Sequence, residues 1–282
     1  MLDESRESRI AMIRGGRYIR YTRAEEILGK LEDLLLTPQR HRMPNLLIVG
    51  ETNNGKTMIV QRFKKRHRAD IHLAPNSSTV PVLVVQAPPT PDEGRFFNAI
   101  LTELYAPFRP NARVDQRQVQ VLNLLQGVGV KLLIIDEIHH ILAGTAMKQR
   151  HFLNMLKYLG NELQIPIVAV GTRDAFNVIH SDPQLANRFE PALLPKWQLN
   201  EEFLRLLKSF EEQLHLREPS NLATPQIAAK ILAQSEGTIG EIAGLLAAAS
   251  IHALRSGQER IDLATLDACG YTSPSDRRRM ML

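Results

Sequence analysis

Short apolar runs that end in glycine or an acid alternate with longer stretches of helical period through the first two thirds of the chain. Leu46-Leu47-Ile48-Val49 runs into Gly50 and precedes a helical pattern from Met58 to His67. Val80 to Gln86 predicts a second strand, terminated by Ala87-Pro88-Pro89-Thr90-Pro91, with a helix from Glu93 to Leu104 behind it. A helix from Gln116 to Leu125 then leads through Gly127 and Gly129 to Leu132-Leu133-Ile134-Ile135, which ends in Asp136-Glu137. Lys148 to Glu162 is helical, and Pro166 opens the strand Ile167 to Thr172. Ahead of all these, Thr22 begins an apolar period through Ile27, Leu28, Leu31, Leu34 and Leu35 that stops before Pro38.

Strands alternating with helices predict an α/β fold with a parallel sheet. Beyond Pro195 the strand signals vanish, and Asn200 to Leu214, Pro225 to Gln234, Ile239 to Arg255 and Asp262 to Ala268 all carry helical period. The expected organisation is an N-terminal extension with its first helix over 1–42, a parallel-sheet core over 43–198, an all-helical domain over 199–270 and a basic tail over 271–282. Residues 1–22 are rich in charge, with Arg14, Arg17 and Arg20 around Gly15-Gly16, and carry no assigned element.

Composition narrows the classes without choosing among them. An ordinary apolar content over 282 residues supports a sizeable core rather than disorder. A net charge of +5 tolerates a negatively charged partner but does not identify nucleic acid. One cysteine, Cys269, excludes an internal disulfide and a cysteine-based zinc site. No apolar stretch reaches membrane-spanning length and the amino terminus has no apolar core, so no membrane partner and a cytoplasmic location are expected.

The chemistry begins at Gly50-Glu51-Thr52-Asn53-Asn54-Gly55-Lys56-Thr57, a G-x-x-x-x-G-K-[ST] segment between a strand and a helix. In that context backbone N–H groups cradle phosphates, so the segment predicts ATP binding. Lys56 is expected to reach the β- and γ-phosphates, Thr57 to ligate Mg²⁺, and Asn53, Asn54 and Gly55 to supply backbone donors, with Glu51 pointing away. Asp136 ends a later strand, where a parallel sheet presents ligands, and would hold the Mg²⁺ through water. Glu137 would orient or deprotonate the attacking water, which favours hydrolysis over transfer. Thr172, at the tip of the next strand, is a candidate for sensing the γ-phosphate or positioning water. Arg188 is a candidate to reach a neighbouring subunit's γ-phosphate, with Arg173 its rival.

Other polar groups carry weaker signals. Successive side chains in a helix do not face each other, so His139-His140 predicts polar loop or helix-start residues rather than a metal site. Lys64 and Lys65, in the basic end of the helix after the phosphate segment, and Arg109, Arg113 and Arg117, flanking a proline-bearing loop, are the candidate DNA-facing cations. The same charges also suit a solvated helix end.

Taken together, the phosphate segment, Leu132 to Glu137, Val170 to Thr172 and Asn187-Arg188-Phe189, followed by a helical lid, resemble the AAA+ ATPases. More narrowly, Met43 to Gly50, Thr52 to Lys56, Gly171-Thr172-Arg173-Asp174-Ala175, Asn187-Arg188-Phe189-Glu190-Pro191 and Ser235 to Glu241 resemble TniB, a TnsC-like transposition ATPase. That resemblance implies a P-loop AAA+ core with an all-helical lid and an ATP-dependent regulator that forms rings or filaments on double-stranded DNA. It also implies a DDE transposase and a TniQ-type targeting protein as partners, and sets Tyr21 and Arg23 near the adenine. One departure stands out: where many AAA+ lids carry a second sensing arginine after a glycine, this chain has Gly240-Glu241, which predicts slow hydrolysis. A helicase loader or replication initiator and a P-loop small-molecule kinase are the alternatives, separated by partner and by acceptor-dependent phosphate transfer.

Overall fold

Continuous Val, Ile and Leu runs suit strands buried on both faces, and the computed structural model assembles them into one parallel sheet. It describes residues 4–16, 18–70, 78–109, 111–180 and 182–280, which leaves Arg17 outside. In chain order the elements are α1 (Arg6–Arg14), α2 (Thr22–Leu36), β1 (Asn45–Gly50), α3 (Lys56–Arg66), β2 (Val82–Gln86), α4 (Glu93–Glu103), α5 (Val114–Gly127) and β3 (Leu132–Asp136). A 3₁₀ turn (Ile138–Ala143) leads to α6 (Ala146–Leu163), β4 (Ile167–Gly171), α7 (Arg173–His180), α8 (Pro183–Ala186) and β5 (Phe189–Leu194). Helices α9 (Glu201–Glu211), α10 (Pro225–Ser235), α11 (Ile239–Ser256), α12 (Leu263–Ala268) and α13 (Pro274–Arg279) complete it.

The strand order is β2-β3-β4-β1-β5. Its register sets Ile48 against Val170 and Ala192, and Ile135 against Ala169, with every pairing parallel. Asn45 Oδ1 accepts from the Ile167 amide at 2.9 Å and ties the starts of β1 and β4. Alternate strand residues Leu47, Val49, Leu83, Val85, Leu133 and Ile135 share a core with Phe96, Phe97 and Ile100 of α4 and Phe152, Leu156 and Leu159 of α6. The period of two on the strands and of 3.6 on the helices makes both faces continuous.

Contacts divide the chain into two compact units: residues 25–52 with 56–194, which contain the sheet, and residues 1–24, 53–55 and 195–282, which are helical. In the helical unit Phe203, Leu206, Leu207 and Phe210 form one face of α9, and Ile242, Leu245, Leu246 and Ala249 one face of α11. Asn200 caps α9 by accepting from the Phe203 amide at 2.9 Å. Two helices here carried no prediction. Helix α1 lies in the charge-rich first residues, where Arg9 is 2% exposed, pairs with Glu259 at 2.5 Å and donates to the His215 carbonyl. Helix α13 is capped by Ser273, whose side chain accepts from the Asp276 amide, and it occupies the basic tail. Neither carries a long apolar stripe: α1 packs Ile10 and Ile13 against the helical core beside its ion-paired Arg9, and α13 is held by the pairs of Arg277 and Arg278.

No single described helix is long and apolar enough to cross a membrane. The pair α10 and α11 passes that test only jointly, across a bend of 115°. Ile231, Ile242, Leu245 and Leu246 of that pair line the helical core.

Candidate functional site

Four polar side chains of the sheet unit meet at the carboxyl ends of the strands. The Lys56 ammonium, at the first turn of α3, donates to the carbonyls of Gly50 at 2.9 Å and Glu51 at 2.8 Å. Burial pulls the Lys56 pKa below its usual value, against the opposing pull of Glu137, Asp136 and Glu51. The Thr57 hydroxyl donates to Asp136 Oδ2 at 3.0 Å, although β4 lies between β1 and β3 in the sheet. Asp136 Oδ1 accepts from the Glu137 amide at 2.9 Å, and the carboxylate is 8% exposed. A hydroxyl and a carboxylate side by side are hard oxygen donors, the set that suits Mg²⁺.

Glu137 itself has a left-handed backbone, φ 56° and ψ 36°, and its Oε2 lies 3.2 Å from His139 Nε2. Thr172, just past β4, has its Oγ1 buried with no hydrogen-bond partner among the described residues. A buried hydroxyl at a strand tip with its bonding capacity unused is available to a ligand or to water. Glu51 faces Arg173, Oε1 to Nε 3.4 Å. Arg173 therefore stands on the loop side of its own sheet. Arg188 does not: its carbonyl accepts from the Asn45 amide at the start of β1, and its guanidinium donates to Asn161 at 2.9 Å. It sits at the opposite end of β1 from Gly50, a strand length of about 17–20 Å away.

Residues 53–55 of the loop belong to the helical unit. Asn53 (φ 60°) and Gly55 (φ 82°) are left-handed, a conformation that exposes successive amides and that Gly55 adopts without the cost of a Cβ. The Asn53 carbonyl accepts from the Gly240 amide at 3.0 Å, and Asn54 donates to the Pro195 carbonyl at 3.1 Å. Asn53 Nδ2 donates to Glu241 at 2.9 Å, and Glu241 also takes the Tyr271 hydroxyl at 2.5 Å and pairs with Arg277. Burial pushes the Glu241 carboxyl up, but the bonds from Tyr271 and Asn53 and the charge of Arg277 bring it below its usual range. Tyr21 packs edge-on against Trp197 at 5.3 Å, and its hydroxyl lies 3.7 Å from where a Cβ on Gly55 would stand. Burial raises its pKa, so it stays a neutral phenol. Arg23 follows at the start of α2 and is half-buried.

The basic residues divide. Arg117 is half-buried and donates to the Gly94 carbonyl and to Asn98, holding α5 against α4. Arg109 is exposed, Arg113 is exposed and pairs with Asp115, Lys64 faces Glu103 at 3.5 Å, and Lys65 is exposed. In the tail, Arg277 and Arg278 are engaged by Glu241 and Glu236. His139 and His140 lie in the first turn of the 3₁₀ segment, the helix-start placement expected of them. Glu137, His139 and His140 bring a carboxylate oxygen and two ring nitrogens within 4.8 Å of one another. The left-handed Glu137 and the 3₁₀ turn after it direct these side chains together.

A sequence model of the bacterial TniB protein family matches residues 9–199. Among curated proteins, the chain is 26% identical over 197 residues to the chaperone protein ClpB of Aquifex aeolicus, covering 68% of this chain and 18% of that one. It is 25% identical over 204 residues to a probable ATP-dependent Clp protease ATP-binding subunit of Chlamydia pneumoniae, covering 70% and 22%. The chain thus spans about a fifth of the length of these relatives. Among solved structures, ORC2 of Aeropyrum pernix in its ADP form superposes with a TM-score of 0.64 at 16% identity, over 90% of this chain and 68% of that one. ORC1 of the same organism, in complex with DNA, gives 0.61 at 18% over 89% and 65%. Domain III of the replication initiation protein DnaA of Thermotoga maritima gives 0.56 at 15% over 90% and 93%. At such identities the likeness is one of fold, the AAA+ arrangement.

Proposed function

This chain belongs to the bacterial TniB family, and from that premise we propose that it is an ATP-hydrolysing regulator of DNA transposition. ATP binds through the amides of Gly50, Glu51, Thr52, Asn53, Asn54 and Gly55 and the ammonium of Lys56, with Tyr21 and Arg23 toward the adenine. Thr57, and Asp136 through water, would hold Mg²⁺, which would neutralise phosphate charge. Glu137 takes a proton from the attacking water, and Thr172 orients that water or the γ-phosphate. The ATP-bound chain assembles as a homo-oligomer on double-stranded DNA and recruits a DDE transposase, together with a TniQ-type protein, and hydrolysis takes the assembly apart.

The observation that carries this reading is the convergence of Lys56, Thr57, Asp136 and Glu137 at one end of the sheet, in a chain of this family. Arg109, Arg113, Lys64 and Lys65 are the cations proposed for phosphate contact on DNA; Arg117, engaged by Gly94 and Asn98, steadies the surface beside them. Electron microscopy of the chain with duplex DNA and a non-hydrolysable ATP analogue tests the proposal. Ordered rings or helices on DNA are expected, and they should bind the transposase in a pull-down. A chain that stays monomeric with nucleotide and DNA, or that captures a replicative helicase instead, overturns it.

A further inference from the structure

Glu137 leaves β3 in a conformation that few residues other than glycine adopt, and the 3₁₀ turn starts directly from it. The result is a trio of donors, one oxygen from Glu137 and one nitrogen each from His139 and His140, all within 4.8 Å. Two imidazoles with one carboxylate form a set that zinc-class cations prefer and Mg²⁺ does not. It differs in kind from the all-oxygen pair of Thr57 and Asp136. The His140 ring is steadied from behind, its Nδ1 facing the Ala87 carbonyl oxygen at 3.3 Å. Metal-bound imidazoles use such a backbone carbonyl to set their tautomer and leave the other nitrogen to the ion. His139 has one nitrogen 3.2 Å from Glu137 and the other buried without a partner among the described residues.

We propose that Glu137, His139 and His140 form a site for a divalent transition cation of the zinc class, with three protein ligands and an open fourth position. Ligands around a tetrahedral zinc stand about 3.4 Å apart for bonds of about 2.1 Å, so small side-chain torsions close the trio. For its consequence the inference rests on the role proposed for Glu137. A carboxylate bound to zinc is a far weaker base toward water, so zinc holds the switch loaded with ATP and slow to fire.

Zinc ion titrated into the full chain, free of nucleotide and magnesium, against a competing chromogenic chelator reads the site directly. One equivalent is expected to bind, and His139→Ala and His140→Ala should each weaken it at least tenfold, while His252→Ala does not. Thermal melting checks that each variant is folded, and if one is not, the other decides. A wild-type chain that binds no stoichiometric zinc, or folded histidine variants that bind it as tightly, overturns the site. In turnover assays with excess magnesium, saturating zinc should remove at least nine tenths of the wild-type rate, whereas His140→Ala should keep its own zinc-free rate. Zinc-loaded wild type that hydrolyses ATP undiminished overturns the inhibitory role. A chain that binds zinc but never hydrolyses ATP instead overturns the ATPase reading and leaves the metal site standing.

Discussion

At the scale of single residues, Glu137 has the most to do with the fewest supports. Its neighbour Asp136 is fixed from two sides, by the Thr57 hydroxyl and the Glu137 amide, while the Glu137 carboxylate meets His139. A group that acts as base while its neighbour holds the metal can be removed without disturbing binding. Glu137→Gln should therefore slow ATP turnover by about 10²–10⁴-fold and prolong assemblies on DNA, with ATP affinity little changed. Single-turnover hydrolysis and assembly lifetime measure this, and variant complexes that dissociate as fast as wild type would sink the mechanism. Lys56→Ala, by contrast, takes away the ammonium that spans the loop carbonyls and should abolish measurable binding of a fluorescent ATP analogue.

At the scale of elements, the start of α11 is built against loop residue Asn53. A Cβ on Gly240 would stand 1.9 Å from Asn53 Oδ1 and 2.7 Å from its carbonyl oxygen, so no side chain fits there without moving the loop residue. Glu241 then secures Asn53, Tyr271 and Arg277 at once. A carboxylate at this place does the opposite of a phosphate-sensing cation: it binds a loop side chain. Gly240→Ala should displace Asn53 and weaken ATP binding about tenfold, the effect of a strain of about 1–3 kcal/mol, while melting within a few degrees of wild type. Unchanged affinity in a folded Gly240→Ala chain would show that the loop does not depend on this helix. Pattern reading found α9 and α11 because each has a buried stripe, Phe203, Leu206, Leu207 and Phe210 in the first and Ile242, Leu245, Leu246 and Ala249 in the second. It passed over α1 because the residue buried most fully there, beside Ile10 and Ile13, is an arginine whose partner lies 250 residues away.

At the scale of the whole molecule, the two candidate arginines are separated by the sheet. Arg173 stands beside Glu51 of its own loop, and Arg188 stands at the far end of β1. An arginine in that position is out of reach of its own chain's γ-phosphate, so the γ-phosphate contact proposed for it requires a neighbouring subunit. A mixture of Lys56→Ala and Arg188→Ala chains should then hydrolyse ATP several-fold faster than either variant alone, because some interfaces pair an intact lysine with an intact arginine. Turnover in the mixture equal to the sum of the separate variants would exclude action in trans. The zinc proposal belongs to this scale as well, since a cation that silences Glu137 would preserve assemblies rather than dissolve them.

The sequence by itself determined the alternation of β1 to β4 with α3 to α6, the parallel sheet and the phosphate loop, because apolar period and the G-x-x-x-x-G-K-[ST] spacing act through neighbouring residues and need no partner from afar. The family resemblance of Gly50 to Thr57, Asn187-Arg188-Phe189 and Ser235 to Glu241 was legible for the same reason. Three matters were decided only by tertiary structure. Strand β4 inserted between β1 and β3 yet left Thr57 and Asp136 in contact, the left-handed turn at Glu137 directed its side chain and those of His139 and His140 together, and Arg9 and Arg277 found carboxylates remote in the chain. In each case the deciding term is a contact between residues far apart in sequence or a backbone conformation that no local pattern announces.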